Sequence, residues 1–162
     1  MGVADDLLRL ASSLANPAPT DPEQVCLRRS ISTAYYALFH LLVEEAVQGW
    51  GGAPAVRLGL QRAFQHKNMR DVSRTVEQGS WRGWGAPPPP VPTELRAVAK
   101  AFVDLQEARH LADYDNARTW TIMEARARVT DAQSAFQNWR KIRTDAAANE
   151  YLLSLLVGKK RE

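Results

Sequence analysis

A chain of 162 residues is the size of one ordinary domain, and its 45% apolar and 24% charged residues match a globular protein rather than a disordered or fibrous one. The longest uncharged apolar stretch, Ile31 to Val43, is too short to span a bilayer, so no membrane association is expected. Twenty-one basic against eighteen acidic residues leave only +3, too small an excess to identify a nucleic-acid binder. Cys26 is the single cysteine, so an internal disulfide is excluded, and with three scattered histidines it offers no metal spacing; no metal and no cofactor are expected.

The charge is regional. Residues 1–24 carry one base against four acids (−3) and residues 83–115 three against five (−2), whereas residues 57–82 and 116–143 each carry six against two (+4). Two such segments would form a positive face if they lay side by side. Asp5 and Asp6 ahead of Leu7 and Leu8 reverse the order of a basic secretory leader, so a cytoplasmic location is expected.

Periodicity predicts helices throughout, with no period-two alternation of the kind a strand needs. The expected fold is all-α, a single domain over residues 1–162 built as an up-and-down bundle of about five helices with a short C-terminal helix. A first helix is predicted over Val3 to Leu14, stopped by Asn16-Pro17-Ala18-Pro19. A second opens at Asp21-Pro22-Glu23-Gln24, with Asp21 as cap, Pro22 at the first helical position and Gln24 reaching back. It runs to about Val47 with Ile31, Ala34, Tyr35, Leu38, Phe39, Leu42 and Val43 on its buried stripe.

The third helical region starts near Pro54, carries Val56, Leu60 and Phe64, and continues or restarts through Met69, Val72 and Val76, with His66 at the break. Residues 79–92 hold three glycines and five prolines and are predicted to be a loop. Trp81 and Trp84 are expected to fold back over the end of the core while the prolines stiffen the connection. Thr93 is the expected cap of the fourth helix, with Leu95, Val98, Phe102, Leu105, Arg109 and Ala112 on its seam. Thr121 to Glu124 reads as a capping box for the fifth, with Trp120 before it and Ile122, Ala125, Val129, Ala132, Phe136 and Trp139 along the seam. A last short helix through Tyr151, Leu152, Leu155 and Leu156 ends at Gly158, and residues 158–162 are expected to fray.

Arg109 is the most informative residue, because a guanidinium in a core-facing slot needs an anionic partner. Asp113, one turn later on the same face, is that partner, and Tyr114 follows at the helix end. With this pair, Arg109 is expected to line a cleft and meet phosphate. On the second helix Arg29, Thr33, Tyr36 and His40 fall within a narrow angular sector and form a polar stripe beside the core. His40 is the candidate proton-transfer group of that stripe.

Three segments together resemble the HEPN-domain family, in its branch with an Arg-x-x-Ala-Asp-Tyr ending. They are Arg29-Ser30-Ile31-Ser32-Thr33-Ala34-Tyr35-Tyr36-Ala37-Leu38-Phe39-His40, then Arg62-Ala63-Phe64-Gln65-His66-Lys67-Asn68-Met69, then Arg109-His110-Leu111-Ala112-Asp113-Tyr114. The resemblance covers about residues 4–143 and implies an all-α bundle that forms a homodimer. In catalytic members it implies metal-independent RNA cleavage, often as a toxin paired with a nucleotidyltransferase-type protein. Those members carry an Arg and, after four to six intervening residues, a His; from Arg109 those places hold Tyr114, Asp115 and Asn116. His110 is adjacent to Arg109 and about 100° away on the helix, so it is no substitute. The expected function is therefore a non-catalytic binding module in a nucleic-acid or nucleotide-linked system, with Arg29, Tyr36, Asp113 and Tyr114 as binding residues. The alternative is a toxin-type ribonuclease using Arg109 and His40.

Overall fold

The computed structural model describes residues 2–158, and these are all-helical, with seven helices and no strand among the described residues. They are α1 (Val3–Leu14), α2 (Glu23–Trp50), α3 (Pro54–Ala63), α4 (His66–Glu77), α5 (Thr93–Tyr114), α6 (Ile122–Ile142) and α7 (Ala146–Val157). The expected fraying of the tail after Gly158 lies outside the described residues. No helix of the described residues is long and apolar enough to cross a membrane. The predicted third region is two helices, because Phe64 and Gln65 are extended (ψ 129° and 130°) and His66 restarts the helix as α4.

The chain divides into two compact units, with α2, α5 and α6 contributing residues to both: residues 1–41 with 101–136, and residues 42–100 with 137–162. By sequence the first holds seven bases against ten acids, −3, and the second fourteen against eight, +6.

In the first unit the contacts of α2 and α5 run in opposite senses. Arg28 meets Ala112 and the residues beyond it, Ser32 meets Asp113, and Tyr35 meets both Arg109 and Phe102, so the two helices are antiparallel. Their apolar stripes are closed to solvent: Leu27, Ile31, Ala34, Tyr35 and Leu38 from α2, and Phe102 and Leu105 from α5, are fully buried. The N-terminal helix joins them where the buried Ser30 hydroxyl donates to the Ala11 carbonyl at 2.7 Å. The capping box of α6 forms as predicted. The Thr121 hydroxyl accepts the Glu124 N–H (3.1 Å) while the Glu124 carboxylate accepts the Thr121 N–H (2.8 Å), and that bond holds the Glu124 carboxyl below its usual range.

The other two predicted caps are replaced. Pro22 precedes the first helical residue, Glu23, and offers its carbonyl to Cys26 (3.0 Å), while Asp21 accepts the Ala18 N–H (2.8 Å) and closes a turn ahead of the helix. Gln24 does not reach back. Its side-chain amide instead pairs with the Trp120 backbone, donating to the carbonyl at 2.7 Å and accepting the N–H at 2.9 Å, which satisfies both backbone polar groups of a buried residue at once. For α5 the residue before the helix is Pro92, whose carbonyl accepts the N–H groups of Leu95 (3.1 Å) and Arg96 (3.2 Å), so Thr93 is the first helical residue rather than the cap.

In the second unit α4 lies against α7, burying Met69, Val72 and Val76 on one side and Tyr151, Leu152 and Leu155 on the other. Polar bonds register the pair: the Asn68 amide donates to the Leu155 carbonyl (2.7 Å), and the Ser73 and Tyr151 hydroxyls share a bond of 2.7 Å. The loop of residues 79–92 is fastened to α7. Trp81 and Trp84 both donate their indole N–H to the Ser154 hydroxyl (3.2 and 3.0 Å), and Glu150 accepts the backbone N–H groups of Trp84 and Gly85. At Gly83 a Cβ would run into the Glu150 carboxylate and come within 3.0 Å of Pro89, so a side chain there would push Glu150 off the loop. The helix α3 departs from expectation. None of its residues is buried, Val56 and Leu58 are exposed, and of the predicted core positions in this stretch only Phe64 is inside. The turn before it, with Gly51 and Gly52 at φ +65° and +102°, and the break after it leave ten residues without a covered face.

Burial raises the Tyr151 hydroxyl above its ordinary value of 10.0, against a smaller lowering from the Ser73 bond. Below pH 10 the folded and unfolded chains both keep that proton, and above it the unfolded chain ionises first, so stability falls with pH by at most about 1.4 kcal/mol per pH unit from this group. Tyr151→Phe loses the Ser73 bond but not the apolar contacts. Its urea-unfolding free energy is expected to lie below wild type near neutrality, with the gap narrowing between about pH 9 and pH 11.5; a gap that stays constant would contradict this assignment.

Candidate functional site

The C-terminus of α5 presents carbonyls that no helical N–H can reach, and its last turn has no basic residue and no glycine after it. Arg28 of α2 supplies the missing donors. One terminal amino group donates to the carbonyls of Ala112 and Asp115 (both 2.9 Å) and the other to those of Arg118 (2.5 Å) and Asn116 (3.5 Å). A cation at the negative end of the helix dipole adds to these bonds. The following turn is closed by the Asp115 carboxylate accepting the Ala117 N–H (3.1 Å) and by Arg118 lying 4.0 Å over the ring of Trp120.

On the α5 end held in this way, Arg109 and Asp113 meet as predicted: Nε of Arg109 is 3.2 Å from Oδ2 of Asp113, with the two side chains 17% and 23% exposed. The same carboxylate oxygen accepts the Ser32 hydroxyl at 3.3 Å, tying the pair to α2. The guanidinium carbon sits 5.5 Å from the centre of the Tyr35 ring and 5.4 Å from that of Tyr36, within cation–π range of both. Nε itself is covered and makes no hydrogen bond. Donation to any incoming group therefore falls to the two terminal amino groups, whose planar fork suits two oxygens of one phosphate or carboxylate.

The remaining predicted site residues are placed as follows. Tyr36 is half-buried against Arg109, so the polar stripe of α2 does face that residue, at this one point. Arg29 is exposed and Thr33 half-buried on the same stripe. His40 is half-buried one turn past Tyr36, about 6 Å further along the helix axis. Its ring lies edge-on to Phe39 (5.5 Å, 83°), and it makes no direct contact with Arg109. Tyr114 is 66% exposed beside His110. A cleft of about 330 Å³ in this unit is lined by Glu107, Ala108, Leu111, Trp120, Ala127 and Arg128 among others, and Arg109 is not one of its lining residues. The expected cleft at Arg109 is not this one; on the α2–α5 face the two tyrosine rings and Asp113 pack around the guanidinium. No group of three or more His, Cys, Asp or Glu among the described residues is placed to hold a metal ion.

Arg28 and Ser32 build the site with no role assigned to them from the sequence, and Gln24 and Tyr35 build it after being assigned other ones, a helix cap and a core position. The signal for Arg28 was the uncapped end of α5, which demands donors from elsewhere; that Arg28 rather than its neighbour Arg29 supplies them is set by the helix packing.

Comparison with known protein families, with curated proteins and with solved structures finds no match for this chain.

Two outcomes test the geometry. Arg28→Met, which keeps the apolar stem and removes the donors, is expected to lower stability by about 2–4 kcal/mol in chemical denaturation and to open the turn at residues 115–121 to limited proteolysis; unchanged cleavage there would speak against the clamp. Asp113→Ala leaves the largely covered Arg109 without its anion and is expected to cost about 1–3 kcal/mol. In a double-mutant cycle with Arg109→Ala, the two losses should be less than additive, and strict additivity would mean that the pair is not coupled.

Proposed function

We propose that the first unit is a non-catalytic binding module for the phosphate of a nucleotide or nucleic acid, as the HEPN-like segments imply. The observation that carries this is the Arg109 guanidinium, restrained by Asp113 and two tyrosine rings with Nε closed off and its terminal amino groups as the remaining donors. A cation held rigidly in a partly desolvated place loses little conformational freedom on meeting a phosphate, and its attraction is screened less than that of a solvated surface lysine. Arg29, exposed on the facing stripe, adds a second positive charge to the same helix pair. The resemblance also proposes RNA as the phosphate source and a second copy of the chain and a nucleotidyltransferase-type protein as partners, and the acidic start at Asp5 and Asp6 proposes a cytoplasmic setting.

The missing Arg-x(4-6)-His spacing favours binding over cleavage, since the places that would hold the proton-transfer group carry Tyr114, Asp115 and Asn116. Fluorescence anisotropy with a labelled single-stranded RNA octamer is expected to show salt-dependent binding that Arg109→Ala weakens at least about tenfold and Arg109→Lys restores only in part, because an ammonium lacks the planar fork. Equal binding by wild type and Arg109→Ala would overturn the assignment. The same samples incubated in EDTA are expected to leave the RNA intact; cleavage abolished by both Arg109→Ala and His40→Ala would establish the ribonuclease reading in its place.

A further inference from the structure

The last two turns of α5 carry two parallel rows of side chains. Arg109 and Asp113 form the ionic row, and His110 and Tyr114, each one residue later and so about 100° around the helix, form a row of rings. The ring centres are 5.1 Å apart with planes tilted by 52°. Both residues are exposed, Tyr114 at 66%, whereas Tyr35 and Tyr151 are fully buried. The two rings contact each other and form no hydrogen bond to the described residues. The ring row thus holds an aromatic face open to solvent on the same two turns of α5 that carry the restrained guanidinium.

We infer that Tyr114, buttressed by His110, is a stacking platform for a nucleobase whose own phosphate is held by Arg109. This rests on the phosphate reading above and deepens it, from a site for phosphate to a site for a nucleotide unit. A nucleotide carries an aromatic base and an acceptor-rich phosphate one sugar apart, and the two rows offer a flat ring at Tyr114 and a forked cation at Arg109, five residues or about 7.5 Å apart along the axis of one rigid helix. Stacking is sequence-tolerant because every base has a π-face, so the platform selects for unpaired bases rather than for a particular sequence. The Arg28 clamp matters to this arrangement, since Tyr114 is the last residue of α5 and its direction depends on that end staying helical.

The test compares two labelled probes of similar negative charge, octaadenylate RNA and inorganic polyphosphate, by anisotropy, with AMP as competitor. Tyr114→Ala is expected to weaken octaadenylate binding about 5- to 100-fold and to leave polyphosphate binding unchanged, while Tyr114→Phe binds both as wild type does. Displacement by AMP at concentrations comparable to those of octaadenylate nucleotide identifies the ligand as a free nucleotide, and displacement only by the strand identifies it as single-stranded nucleic acid. Octaadenylate binding unchanged by Tyr114→Ala but weakened by Arg109→Ala would overturn the platform and leave the phosphate site standing. Equal loss for both probes in Tyr114→Ala would overturn it too, as a contact with phosphate rather than base. If Arg109→Ala is also without effect, the phosphate reading itself falls. Circular dichroism of each variant confirms that an exposed position has been changed without unfolding the helix.

Discussion

The four backbone carbonyls gathered by Arg28 are the constraint on which the rest of the first unit depends. A helix that ends without glycine and without a basic residue in its last turn has no local means of satisfying its terminal acceptors, and leaving them unpaired beside a core costs more than the bonds return when made. By reaching across from α2, Arg28 stops α5 and sets the path of the turn. Four residues earlier on the same helix, Gln24 repeats the device on Trp120, so the chain enters α6 with the backbone N–H and carbonyl of its buried tryptophan already paired. Two polar side chains one turn apart on α2 thereby hold the whole connection between α5 and α6.

Within that frame, the energetics of Arg109 are those of a charge kept partly out of water. Asp113 offsets the desolvation, Ser32 holds the carboxylate in place, and the two tyrosine rings supply a negative π-face where water would otherwise hydrate the cation. The pair is not deeply buried, and this is what separates it from an internal strut: the exposed fraction of the side chain leaves donors that a ligand can reach. The loop of the second unit shows the opposite use of polar groups. Glu150 and Ser154 spend their hydrogen-bonding capacity on Trp81, Trp84 and Gly85, and so give a segment rich in proline and glycine a single position without a helix or strand.

Much of this was legible in the residue pattern. Helix positions followed from three- and four-residue spacing, the capping box at Thr121 from two side chains whose partners are within one turn, and the Arg109–Asp113 pair from i, i+4 geometry. Each is a local interaction whose distance is set by the helix itself. The failures are equally physical. The expected caps at Asp21 and Thr93 were plausible by residue type, yet a proline stands immediately before the first helical residue in both places and its carbonyl accepts the first ladder bond, and Gln24 found a better use on a distant backbone. Val56 belonged to a helical apolar pattern and is nonetheless exposed, because periodicity locates an apolar stripe without saying whether anything comes to cover it.

The sequence by itself determined the all-α class, the approximate ends of the helices and the existence of a charge at position 109 that needed a counter-ion, since backbone hydrogen bonding and side-chain periodicity are local properties of the chain. Only the tertiary structure decided that Arg28 and not Arg29 would turn inward, that Tyr35 and Tyr36 would flank the guanidinium, and that Ser32 would share its carboxylate. Those outcomes depend on the register between α2 and α5, which is set by the packing of many apolar side chains far apart in sequence, and a one-residue shift there would send a different side chain to every one of these places.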